Sequence, residues 1–128
     1  MQYEYFYGAQ AEQFSFYRIL KALFTEPNFR ELSTDAKVLY GILLDRMSLS
    51  LKNQWLDAQN KVYIIFTVEE IMDALNCANQ KATRLMVELE KQAGLIERKR
   101  QGLGRPNLIY VKNFAATIND KSCEKGDS

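Results

Sequence analysis

Apolar residues recur at three- and four-residue intervals in three stretches of this chain and gather into short β-branched or aromatic runs between them. In the first stretch Ala36, Leu39, Tyr40, Leu43, Leu44 and Met47 share one helical face, behind the N-cap candidates Ser33, Thr34 and Asp35, which predicts a helix over 34–51. Val38, Ile42 and Leu49 fall on its opposite side, so this helix must be covered twice, by its own domain or by a second copy. Lys61-Val62-Tyr63-Ile64-Ile65-Phe66 reads as a strand after the polar, turn-like residues 52–60, where Trp55 serves as a loop anchor. Thr67-Val68-Glu69-Glu70 fits a capping box that opens a short helix through Leu75, with Ile71, Met72 and Leu75 as its stripe. After the turn 76–79, Asn79 is a cap candidate for a helix over 80–93, whose inner face is Ala82, Leu85, Met86, Leu89 and Ala93. Gly94 stands where a left-handed residue ends a helix. Strands are expected over 95–100 and 108–112, joined by the glycine-rich turn 101–107.

The two ends read differently. Residues 1–17 hold seven aromatics, Tyr3, Tyr5, Phe6, Tyr7, Phe14, Phe16 and Tyr17, more apolar surface than a free tail carries. Residues 14–18 suggest a short strand, and 19–24 a helical turn interrupted by Pro27. Past Phe114 the chain becomes small, polar and charged, a linker in character over 115–128.

From residue 61 onward the order is strand, capped helix, short turn, helix, glycine stop, strand, basic turn, strand. That is an α+β winged helix: a helix-turn-helix followed by a β-hairpin wing, here over residues 1–114. The charge bears on this reading. The net charge of +1 from 17 basic and 16 acidic residues gives no hint of a polyanion partner. Yet residues 79–112 hold eight basic and three acidic residues, a net of +5, which leaves −4 for the rest. A surface that faces phosphates needs that asymmetry.

The outer face of helix 80–93 is expected to present Gln80, Arg84, Val87, Glu88 and Lys91, with Lys81 and Thr83 at its flanks and Asn79 at its start. Gln80 and Arg84 suit bidentate contacts to adenine and guanine edges, and Val87 suits a thymine methyl. Lys81 and Thr83 suit phosphates. In the wing, Arg98, Lys99, Arg100, Gln101, Gly102, Arg105 and Lys112 are placed to follow the backbone or enter a minor groove. A charged edge strand guarding against aggregation is the plainer account of Arg98-Lys99-Arg100.

Other chemistry fits poorly. The chain has no histidine, so the usual general base and metal ligand are missing. Gly102-Leu103-Gly104 lacks the third glycine and following helix of a dinucleotide loop, and there is no P-loop lysine. Glu69 and Glu70 are explained by capping and the helix dipole. Cys77 has no base to activate it, and Cys77 and Cys123 show no metal spacing, so a reducing compartment is the natural reading. No apolar run approaches the roughly 18 residues of a membrane span, and the start lacks the features of a signal peptide. The expectation is a non-enzymatic, cytoplasmic protein, associated with the nucleoid or a plasmid, without metal or cofactor.

One set of segments carries a resemblance. They are residues 16–24, Leu32-Ser33-Thr34-Asp35-Ala36-Lys37, Leu39-Tyr40-Gly41, residues 44–50, Val62-Tyr63-Ile64-Ile65-Phe66-Thr67, and the whole of 94–111. Over roughly residues 3–114 the chain resembles the N-terminal domain of the RepA-N family of plasmid replication initiators from Gram-positive bacteria. Leu20 stands where the family pattern Arg-Ile-Pro-Lys has proline, so the first helix is expected to start differently. The helix at 79–91 is where members vary. The resemblance implies a winged helix similar to the N-terminal domain of the primosomal protein DnaD, binding repeated sites in a plasmid origin as a dimer. It also implies host replication proteins as partners of a separate C-terminal domain. Tyr5, Phe6, Val38, Ile42 and Leu49 are the candidate dimer residues. A primosomal protein-interaction module and a winged-helix repressor remain the alternatives.

Overall fold

The computed structural model describes residues 2–8 and 15–113. Phe114 and the linker expected over 115–128 lie outside the described residues, as does Phe14. Residues 15–18 form no strand, and a single turn of helix, α1 (Ala22–Thr25), precedes a 3-10 turn at Pro27–Phe29. The long helix α2 spans Thr34–Lys52, one residue past its expected end. It starts at Ser33, whose hydroxyl accepts the Ala36 N–H at 3.2 Å. Helix α3 (Val68–Leu75) carries the complete capping box: the Thr67 hydroxyl accepts the Glu70 N–H, and the Glu70 carboxylate accepts the Thr67 N–H, each at 3.2 Å. Asn76 closes α3 at φ +53, a left-handed position that asparagine tolerates better than most residues.

Helix α4 covers Asn79–Val87, then widens into a π-helical segment over Glu88–Gln92. Its N-cap is Ala78, not Asn79. Asn79 already lies inside the helix, where its side chain accepts from Thr83 at 3.5 Å instead of capping a backbone N–H. Gly94, at φ +66, ends the element as expected. Strands β1 (Ile96–Lys99) and β2 (Leu108–Val111) pair antiparallel, Arg98 opposite Ile109. The strand expected over 61–66 contracts to a bridge, in which Ile64 and Ile109 exchange both backbone hydrogen bonds at 2.9 Å. Upstream, Leu56 bridges Val62 across a tight loop in which the Asp57 carboxylate accepts the N–H groups of Gln59 and Lys61.

The core is one cluster. Leu23, Leu39, Leu43, Ile64, Ile71, Leu85, Leu89, Ile96 and Ile109 are all buried within it. At Gly41 an added Cβ would meet the carbonyl oxygen of Arg18 at 2.7 Å, so the glycine lets residues 15–20 lie directly across α2. This crossing and the rest of the core cover the second side of α2 around Ile42 but leave its end at Leu49 open. Ile42 is only 4% exposed, and the expectation that it faces a second copy is corrected: the chain itself buries it. Val38 is half-buried, whereas Leu49 is exposed.

Candidate nucleic-acid interface

Helices α3 and α4, with the left-handed turn at Asn76 between them, form the helix-turn-helix. The wing follows directly after Gly94. Along α4, Ala82, Leu85 and Met86 are buried, while Gln80, Thr83, Arg84 and Val87 are exposed, as their spacing predicts. The first turn of α4 has no side-chain cap, so its backbone N–H groups remain available to an anion. Lys91 is exposed on the π-helical segment.

Two residues expected on or beside this outer face are engaged inside the chain. Glu88 does not point outward. It is buried, and it accepts the backbone N–H of Ser33 at 2.9 Å and the Ser33 hydroxyl at 2.8 Å. Lys81, seven residues earlier and so on the same flank, pairs with Asp35 at 2.7 Å. That flank of α4 is where the start of α2 docks, and a wheel drawn for an isolated helix contains no such neighbour. The Lys81–Asp35 pair is about half exposed, so it is worth little and opens easily to another anion.

The wing departs from expectation at Arg98. Ile96 and Arg98 project from the face of β1 that also carries Ile109, toward the core. Arg98 therefore turns to Glu90, whose carboxylate accepts the Arg98 backbone N–H at 3.2 Å, Nε at 3.1 Å and Nη2 at 2.8 Å. Chiefly through the Arg98 side chain, these bonds hold the Glu90 carboxyl below its ordinary range. Arg98 is thus a clasp within the fold, its side chain only partly open to solvent. Lys99, Arg100, Gln101, Gly102, Arg105 and Lys112 are exposed. Among the described residues Arg84, Lys91, Lys99, Arg100, Arg105 and Lys112 make no ion pair.

The turn of the wing is shaped by Gly102 (φ +117) and Gly104 (φ +76), and by the Gln101 amide, which donates to the Pro106 carbonyl at 2.8 Å. Leu103 stands fully exposed at the tip, a residue that sequence patterning passed over. Arg105, Pro106 and Asn107 fold back across a cleft of about 260 Å³, whose far wall includes Thr67, Val68 and Met86. Wing and helix-turn-helix are therefore neighbours.

On the outer side of the hairpin the pattern also missed a cluster. Trp55 stacks on Tyr63 with ring centroids 6.3 Å apart, and Tyr63 meets Tyr110 edge-on at 6.5 Å. The Tyr110 hydroxyl donates to Asp57 at 3.0 Å. The Lys61 N–H is the main cause that holds the Asp57 carboxyl low, and desolvation followed by the hydrogen bond to Asp57 pushes the Tyr110 phenol up. Trp55 therefore anchors its loop to the back of the wing. The proposed dimer residues Tyr5, Phe6 and Leu49 are exposed. The described residues contain no cluster of potential metal ligands and no helix long and apolar enough to cross a membrane.

Comparison with known proteins matches residues 15–125 to the family "Replication initiator protein A (RepA) N-terminus". A 41 kDa protein of Lactobacillus helveticus is 30% identical over 103 residues, which cover 80% of this chain and 28% of that protein. Among solved structures, an N-terminal domain of a DNA-binding protein superposes with a TM-score of 0.72 at 35% identity, covering 99% of this chain and 98% of its own. A Rep–DNA complex does so equally well, at 0.72 and 35%, covering 98% of each chain. The structure of an MDR initiator gives 0.67 at 37%, covering 93% of this chain and 98% of that one. With the winged-helix architecture and this match over most of its length, the chain belongs to the family of replication initiator protein A (RepA) N-terminal domains.

Proposed function

We propose that this domain binds double-stranded DNA sequence-specifically, at repeated sites of a plasmid origin, as a homodimer that starts replication. The observation that carries this reading is the joining of two exposed elements: the outer face of α4, with Arg84, and the wing, with Lys99, Arg100 and Arg105, none of them in an ion pair among the described residues. The likeness to a solved Rep–DNA complex supports it. In this arrangement α4 enters the major groove. Gln80 and Arg84 read base edges, Val87 meets a thymine methyl, and Asn79, Thr83 and the uncapped first turn meet phosphates. Lys81 joins them by exchanging Asp35 for a phosphate, and Lys91 lies farther along the backbone. The wing follows the adjacent backbone or minor groove. The task is binding and not catalysis, and host replication proteins engage a part of the initiator beyond this domain.

Dimerisation uses exposed apolar surface, with Tyr5, Phe6 and Leu49 as the candidates and Val38 in support. Footprinting on plasmid-origin DNA tests the whole reading, with protection expected over evenly repeated sites. Arg84→Ala should cost about 1–3 kcal/mol at the specific site and relax preference at one base pair. A loss of equal size on all sequences would show that Arg84 contacts only phosphate. Protection confined to a promoter would favour a repressor, and none at any salt would favour a protein-interaction module.

A further inference from the structure

We infer that Glu90 is a positioning residue for DNA binding: its carboxylate fastens the wing to the recognition helix, so that two separate DNA-reading elements dock as one rigid body. This inference rests on the DNA-binding reading above. Three observations support it. First, the contact is made to backbone and side chain together, at 3.2 Å to the Arg98 N–H and at 3.1 and 2.8 Å to its guanidinium. A carboxylate held by three donors in this way fixes both the path of β1 and the direction of Arg98. Second, α4 is braced on two flanks. Lys81 and Glu88 tie one flank to Asp35 and Ser33 at the start of α2. Glu90, two residues after Glu88 in the π-helical segment, ties another flank to the wing. Third, the clasp is mostly withdrawn from water, with side-chain exposure of 17% for Glu90 and 25% for Arg98. A neighbouring phosphate therefore does not readily displace it.

The π-helical segment gives this arrangement a reason. A wider turn over Glu88–Gln92 places two carboxylates, two residues apart, against different elements, while Leu89 between them stays in the core. The consequence runs against simple electrostatics. An acidic residue within a DNA-facing region should weaken binding, and neutralising it should strengthen binding. If Glu90 positions the wing, neutralising it weakens binding.

The test uses Glu90→Gln, Arg98→Ala and Arg98→Lys in the 128-residue chain, titrated with origin duplex at several salt concentrations. We expect Glu90→Gln to lower affinity about tenfold although it removes a negative charge. Arg98→Ala should lower it similarly without changing the slope of log affinity against log salt, and Arg98→Lys should fall between. Loss of a phosphate contact would instead reduce that slope by about 1. Amide hydrogen exchange separates positioning from general destabilisation. In Glu90→Gln, protection should fall at Arg98 and along β1 and β2 and stay unchanged in the middle of α2. Tighter binding by Glu90→Gln, a reduced salt slope for Arg98→Ala, or equal loss of protection in α2 and the wing would each overturn the inference. If the unaltered chain fails to bind duplex DNA even at low salt, the DNA-binding reading falls and this inference with it. The exchange pattern would still show whether the clasp holds the wing.

Discussion

Replacing Ser33 by alanine removes two bonds with one hydroxyl. The Ser33 Oγ caps α2 by accepting the Ala36 N–H at 3.2 Å, and it donates to the buried Glu88 carboxylate at 2.8 Å. Losing an N-cap costs about 1 kcal/mol. Depriving a buried carboxylate of one of its two protein donors costs about 1–2 kcal/mol more, because the Ser33 N–H is the only other donor to it among the described residues. Together the loss is about 2–3 kcal/mol, which for a domain of this size lowers the melting temperature by roughly 10 °C. Ser33→Thr keeps both bonds and should change stability by less than about 0.5 kcal/mol. Urea unfolding of Ser33→Ala, Glu88→Gln and the double variant measures the coupling, expected near 1 kcal/mol. A loss of no more than the cap alone, with no coupling to Glu88, would refute the argument that this carboxylate braces α4 against α2.

Two further outcomes follow from the same geometry. Ile42→Glu should unfold the domain and not merely divide a dimer, since it places a carboxylate where the chain is 4% exposed; a folded monomer seen by circular dichroism and sedimentation would contradict the burial. The carboxyls of Asp57 and Glu90 are both held low in the folded state. Their contribution to stability is therefore complete above the ordinary carboxylate range and is lost as pH falls below about 4. Melting temperature should stay level from pH 7 to about 5 and then decline, and Asp57→Asn should flatten part of that decline; an unchanged decline would remove Asp57 from the account.

Much of the fold is legible in the sequence because it is set by local rules. Thr67 and Glu70 specify a helix start through their own hydrogen bonds, and Gly94 ends one because a left-handed residue is needed there. The wing follows from two short apolar strands around a turn with two glycines. What is not legible depends on neighbours distant in sequence. The outward placing of Glu88 ignores Ser33, 55 residues away, and the second stripe of α2 contains no sign that residues 15–20 cross at Gly41. Arg98 reads as one basic residue among several, yet strand alternation turns it inward to Glu90 while Lys99 stays out. Of the side chains expected on the candidate surface, Gln80, Arg84, Lys99, Arg100 and Arg105 are exposed, whereas Lys81 and Arg98 are engaged inside the chain. The charge asymmetry survives, carried by fewer side chains than the count of eight suggests.

Titration of origin duplex DNA across a range of salt concentrations tests the central claim most directly. Five of the six cations that make no ion pair among the described residues, Arg84, Lys91, Lys99, Arg100 and Arg105, predict a slope of log affinity against log salt of about −4 to −5. Replacing Lys99, Arg100 and Arg105 together by alanine should reduce its magnitude by about 2–3 while the fold stays intact. Negligible affinity at about 50 mM salt, or a slope unaffected by those three replacements, would contradict the account.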